Sequence, residues 1–256
     1  MEHSCAKFCN VRSTSGLARY PRPNVAVDVA ILTVLPAPSA DRPGSLAVLV
    51  QQPVTDASGW ALPGRFLREG QTVADAVRDV LRVKAGLTDV RPVPRLLRVF
   101  DDPGRDPRAW TLSLAHSLTL TARQLVDARG ELVGVNPDGE LADGRLLLFD
   151  HDLIVTEAAA ATRERYEYAP DPDGLLERPF TMAELRTVHE AVIGERLLKD
   201  TFRRRMEPLL QPFTDADGQR VLRSDGGRPA QVYVRPQEPE PNAAVRRRLL
   251  LPRAQR

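Results

Sequence analysis

Apolar positions recur along this chain with two different periods, and each period points to a kind of element. Residues 25–34 are almost all small or β-branched apolar side chains, which predicts a buried strand. A turn rich in Pro and Gly at 36–44 separates it from a second apolar run at 46–52, so the pair reads as a hairpin with a long loop. Over 73–84 the period changes. Val73, Ala76, Val77, Val80, Leu81 and Val83 recur mostly at three- and four-residue spacing, the broad apolar face of a helix. Thr72 and Asp75 fit a capping box at its start, and Gly86 stands where a helix end favours a left-handed residue. Strands are expected at 95–100, 110–120 and 145–149, and a helix at 151–166 that carries the alanine run 158–161.

The stretch 169–174, rich in Pro and Asp, breaks that helix and reads as a linker. Two short helices are expected beyond it, at 182–193 and 199–210. Thr181 and Glu184 fit a capping box for the first, whose apolar side holds Leu185, Val188, His189, Val192 and Ile193. His189 on such a face reads as a packed histidine rather than a switch. The second helix carries Lys199, Arg203, Arg204 and Arg205, with Phe202, Met206 and Leu209 spaced to face inward. Residues 221–234 read as two strands around a Gly226-Gly227 tip, with Arg228 beside it. The pattern divides the chain into a lead (1–22), a large unit (23–168), a small unit (175–236) and a tail (237–256). Lead and tail hold too few apolar residues to pack and are expected to be disordered.

Composition narrows the class. A hydrophobic fraction of 42% and a charged fraction of 27% are ordinary for a globular protein, and no run is long and apolar enough to span a bilayer. With no secretory signal visible, a cytoplasmic location is expected. Cys5 and Cys9, with His3 nearby, do not complete a four-coordinate zinc site and read as reduced thiols. The net charge of +2 is unevenly spread. Lys and Arg outnumber Asp and Glu sixteen to eleven from residue 176 onward, and are outnumbered twenty to twenty-three before it. A basic second part suits nucleic-acid binding.

The segment Trp60-Ala61-Leu62-Pro63-Gly64 leads into the 73–84 helix, which closes on Gly86-Leu87. Over 65–87 the chain resembles the Nudix hydrolase family, whose box runs G-x5-E-x7-R-E-U-x-E-E-x-G-U, with U apolar. Leu81, Gly86 and Leu87 match. Arg65, however, replaces the box glycine, Gln71 the first glutamate, Asp79 the arginine and Val80 the next glutamate. Val83 and Lys84 replace the glutamate pair that binds magnesium in active members. Magnesium chemistry on a pyrophosphate needs carboxylate oxygens on one helix face, so catalysis is expected to be lost. No catalytic residue, metal or cofactor is assigned. The segment 100–108 is also similar to one in Nudix domains that handle ADP-ribose. The resemblance implies a pocket kept for binding. There Arg65, Arg98 and Arg105 would pair with a diphosphate, Asp28, Gln52 and Asp101 would fix ribose hydroxyls or a base edge, and Trp60 would stack.

Two short helices joined at Gly194-Glu195, the second rich in arginine, satisfy a helix-turn-helix. The order Phe180-Thr181…Glu184-Leu185, Phe202-Arg203-Arg204 and Gly226-Gly227-Arg228-Pro229-Ala230 resembles the C-terminal domain of NrtR-type Nudix-related transcriptional regulators. The expected fold is a Nudix-like α/β/α sandwich with a mixed sheet, followed by a small winged helix-turn-helix domain. The resemblance implies a homodimer that binds duplex operator DNA through Thr181, Lys199, Arg203, Arg204, Arg205 and Arg228 and senses a nucleotide-type or sugar-derived metabolite, such as ADP-ribose. The alternative is a Nudix hydrolase acting on a nucleoside diphosphate derivative.

Overall fold

Residues 26–33 are buried without interruption, and their side chains alternate between two helical layers. Val27, Val29 and Ile31 pack with Ala76, Val77, Val80 and Leu81 on one side, while Ala30 and Leu32 pack with Ile154, Val155, Ala158 and Ala159 on the other. A strand covered on both faces has no polar side to show, which is why its sequence is a near-continuous apolar run. The computed structural model describes residues 16, 19–39, 42–53, 59–88, 90, 93–176, 179–224 and 228–235. The cysteines, most of the lead, the Gly226-Gly227 tip and the tail lie outside the described residues.

The central strand β1 (Asn24–Leu35) belongs to a six-stranded mixed sheet with β2 (Ser45–Val50), β3 (Gly64–Phe66), β4 (Arg95–Phe100), β5 (Thr111–Thr119) and β6 (Glu131–Gly134). Their order is β4-β5-β1-β2-β6; only β1 and β5 run parallel. Two strands share one edge of β1: β2 pairs with Leu32–Leu35 and β3 with Ala26–Asp28. Gln51 bridges to Ala61 beside that edge, and the cavity described below opens there.

Helix α1 (Val73–Asp79) begins with the expected Thr72–Asp75 capping box and runs into a wider turn, Val80–Lys84, closed by Ala85 N–H to Val80 O at 3.0 Å. Such i→i+5 turns are rare and gather at functional sites. Helix α2 (His151–Tyr168) lies on the opposite face, where its alanines permit close approach to the sheet. The strand expected at 145–149 is absent. Leu147 makes a single bridge to Trp60, and Phe149 at φ +62° turns the chain out of extended conformation. The strand instead forms at β6, a short edge segment of mixed polarity.

The second unit holds β7 (Phe180–Thr181), α3 (Met182–Ile193), α4 (Lys199–Met206), β8 (Gln211–Pro212), β9 (Leu222–Arg223) and β10 (Ala230–Val234). Phe180, Leu185, Phe202, Met206, Leu210 and Tyr233 form its core; Leu210 is buried there, in place of the expected Leu209. Helix α3 serves both units. Val188 and Val192 pack into the core beneath the sheet, and Ala191 lies against Gly44 of the β1–β2 turn, where an added Cβ would meet it at 3.1 Å. The stretch 169–174 is no loose tether either. Asp171 is fully buried, and its carboxylate accepts from Tyr166 Oη at 3.1 Å and from the amides of Leu175 and Leu176 at 2.8 and 3.1 Å.

Candidate functional site

Beside the shared edge of β1 lies a cavity of about 1450 Å³, enough for a nucleotide-sized ligand. Asp28 of β1 lies in its buried wall. It accepts from Ser113 Oγ at 2.6 Å, with His151 Nε2 and Arg105 Nη2 each at 3.5 Å. His151 Nδ1 accepts from the Leu62 amide at 2.9 Å, which leaves Nε2 to carry the proton toward Asp28. Burial opposes ionisation of Asp28, but His151, Ser113 and Arg105 outweigh it and hold the carboxyl below the usual range. Gly64 is required where β3 crosses this group, because a Cβ there would collide with Asp28 Oδ1.

The arginines expected to grip phosphate are mostly occupied. Arg105 is buried and clamped bidentately by Asp150, at 2.8 and 2.5 Å. Arg65 pairs with Asp79, which also accepts from Gln71 Nε2 at 3.2 Å and lies 3.6 Å from Arg82. Three substituted box positions thus close on one another. Arg98 does not reach the cavity: it pairs with Glu157 at 3.3 Å and stacks over Phe100. Asp101 is exposed and also outside the lining. Gln52 and Trp60 line the cavity, the latter beneath the Arg145 guanidinium at 4.4 Å. Of seven expected residues the structure therefore brings five together.

Sequence reading missed other groups at this wall. Arg68, Arg108, Arg129, Phe149 and His151 line it, and Asp150 holds Arg105 behind it. His151 and Asp150 carry a faint signal, since they open the alanine-rich helix. Arg129 carries none, because it stands in an irregular stretch.

Magnesium does not fit the box region. Val83 offers no oxygen, Lys84 brings a positive charge, and Asp79 is already bound by Arg65. Among the described residues no group of three His, Cys, Asp or Glu is placed to hold a metal ion.

In the second unit, α4 points Lys199, Arg203 and Arg204 outward. Arg203 shares its charge with Glu207 at 3.2 Å, whereas Arg204 has no carboxylate within bridging distance among the described residues. Arg205 is half-buried, and its Nη1 has no hydrogen-bond partner among the described residues. Arg228 is exposed at the start of the last strand's approach. Thr181 differs from expectation: it is buried, and its hydroxyl and amide are used in capping α3 with Glu184. Arg223 of β9 grips the same Glu184, tying the strand pair to the start of α3. The turn between α3 and α4 is fixed by buried Glu190, which takes Arg186, Arg196 and the Leu197 amide.

Residues 174–234 match the family model described as the NrtR DNA-binding winged helix domain. The second unit is similar to the NrtR winged helix. A curated relative, the ADPR responsive transcriptional repressor NtrR of Acinetobacter baylyi, is 29% identical over 222 residues, covering 84% of this chain and 82% of its own. The ADP-ribose pyrophosphatase of Methanocaldococcus jannaschii is 33% identical over 102 residues, but the match spans only 56% of that protein. Among solved structures, Shewanella oneidensis NrtR in complex with a 27mer DNA superposes with a TM-score of 0.62 at 24% identity, over 83% of this chain and 93% of that one. The chain shares the fold of that structure, a Nudix-like mixed-sheet domain followed by a winged helix. Among the described residues no helix is long and apolar enough to cross a membrane.

Proposed function

We propose that the chain is a cytoplasmic DNA-binding repressor whose Nudix-like domain (23–168) senses a pyrophosphate-linked nucleotide of the ADP-ribose kind. The single observation that carries this reading is the NrtR winged helix, whose α4 presents unspent basic groups, joined to a box whose substituted positions pair with one another. The likeness to an ADPR-responsive repressor supports the effector class. Lys199, Arg203, Arg204, Arg205 and Arg228 contact the duplex, mostly at phosphates, while Thr181 serves as the α3 cap. Asp28, Gln52 and Trp60 contact the effector, with Arg65 and Arg105 holding the wall. The domain is catalytically inert, and two copies of the chain pair so that their winged helices span successive half-sites.

Communication runs along α2. His151 at its start faces the cavity, and Tyr166 near its end packs against His189 of α3, which in turn packs edge-on against Phe202 of α4, with ring centroids 4.9 and 5.2 Å apart. An effector that moves the start of α2 therefore moves the DNA-facing helix.

Fluorescence anisotropy with duplex from upstream of the chain's own gene tests the DNA half. That fragment is expected to bind at least about a hundredfold more tightly than random duplex at the same salt. Equal binding would overturn the reading. Turnover of ADP-ribose with magnesium at an enzyme-like rate would instead favour the hydrolase.

A further inference from the structure

The cavity is lined by six basic and four acidic residues, and every one of the acids is committed. Asp28 is held by Ser113 and Arg105, Asp79 by Arg65, Asp106 by Arg108, and Glu131 by Arg145. The surplus is cationic. Among the described residues the Arg68 and Lys84 side chains have no carboxylate partner, and the Arg129 guanidinium donates only to the Val83 carbonyl, at 3.0 Å.

Lys84 and Arg129 are also built into one frame. The Gln51 side-chain amide donates to both of their carbonyls, at 2.8 and 2.5 Å, and the Arg129 amide donates to Ala85 O at 2.9 Å. The wide turn Val80–Lys84 belongs to this frame and ends on Lys84, at one of the two positions where the box would have its magnesium-binding glutamates. Exchanging a carboxylate for an ammonium reverses the local charge. It repels a divalent cation and attracts the anion that the cation would have held.

We propose that the cavity binds the pyrophosphate of its ligand directly on Lys84 and Arg129, with Arg68 at the rim, and needs no divalent cation to do so. This rests on the effector-binding reading above and names the chemistry of that same site. Calorimetric titration of the full chain with ADP-ribose, once with EDTA and once with magnesium, tests it. The two dissociation constants are expected to agree within about twofold, and Lys84→Glu to weaken binding by about tenfold or more in EDTA. Magnesium is expected to restore part of that affinity, and Lys84→Arg to keep most of it. Lys84 is exposed, so thermal melting of the ligand-free variants is expected to match the parent. A wild-type affinity that collapses in EDTA would overturn the proposal and leave the effector reading standing. So would Lys84→Glu binding as tightly as wild type without metal. No binding in either buffer would overturn both.

Discussion

The cavity wall and the outer face of α4 are both rich in arginine, but most of the cavity's arginines are spent on aspartates while most of those on α4 have no carboxylate partner among the described residues. In the cavity, Arg65, Arg105 and Arg108 are each held by an aspartate, and Arg105 is sealed from solvent. On α4, Lys199 and Arg204 stand in water without carboxylate partners among the described residues, and only Arg203 shares its charge. The same residue type therefore mostly builds structure in the cavity, where Arg68 and Arg129 stay available, and is mostly left for a ligand on α4. For Arg65 and Arg105 burial forces the partner, since an unpaired charge is tolerable in solvent and costly inside.

The largest effect that would sharpen this contrast is expected at Asp150. Among the described residues Asp150→Ala leaves Arg105 with Asp28, at 3.5 Å, as its remaining ion pair, and should lower unfolding stability by about 3 to 5 kcal/mol in denaturant titration. A drop under about 1 kcal/mol would mean that the pair is solvated like a surface bridge. On α4 the reverse is expected. Arg203→Ala with Arg204→Ala should leave stability within about 0.5 kcal/mol, since both are exposed, yet cost roughly a hundredfold in operator affinity. The slope of log affinity against log salt should flatten by roughly one for each phosphate that the variant no longer neutralises. An unchanged slope would remove these residues from the interface.

A smaller effect is expected at the seam between the regions. His189 is fully buried between Tyr166 and Phe202, with Asp171 N–H donating to its Nε2 at 3.3 Å and Arg235 held on the Asp171 carbonyl nearby. Burial drives its pKa down to about 3, so the folded chain keeps it neutral while an unfolded chain protonates it near pH 6.5. The unfolded state then binds the extra proton between those values. Stability is fully present above pH 6.5 and falls on acidification toward pH 3, with a slope approaching about 1.4 kcal/mol per pH unit from this group. His189→Gln should remove that share of the slope, seen as the difference between the two proteins' pH profiles. Parallel profiles would mean that the ring titrates freely.

Sequence reading succeeded where a local rule was sufficient. The period of 73–84, the Thr72–Asp75 and Thr181–Glu184 boxes and left-handed Gly86 each depend on near neighbours, and each is found. It failed where a distant residue decides. The apolar run 145–149 looks like a strand, but positive φ at Phe149 bends it, while the short and partly polar 131–134 pairs with β2 and becomes one. The side chains of Asp171 and Asp173, in a stretch that reads as a linker, are covered because Tyr166, Arg95 and Arg165 reach them from the neighbouring elements. The candidate cavity was half legible for the same reason. Box spacing located Arg65, Asp79 and Lys84, but only the fold reveals that Asp79 uses up Arg65 and that Arg98 points away.

The proposed route of communication between the cavity and α4 runs through α2 and the His189 seam. Anisotropy of labelled operator DNA, measured at fixed salt while ADP-ribose is added without metal, tests it most directly. Operator affinity is expected to fall by about tenfold or more, equivalent to a coupling of at least about 1.4 kcal/mol. Saturating ADP-ribose that binds the chain and leaves operator affinity unchanged would contradict it.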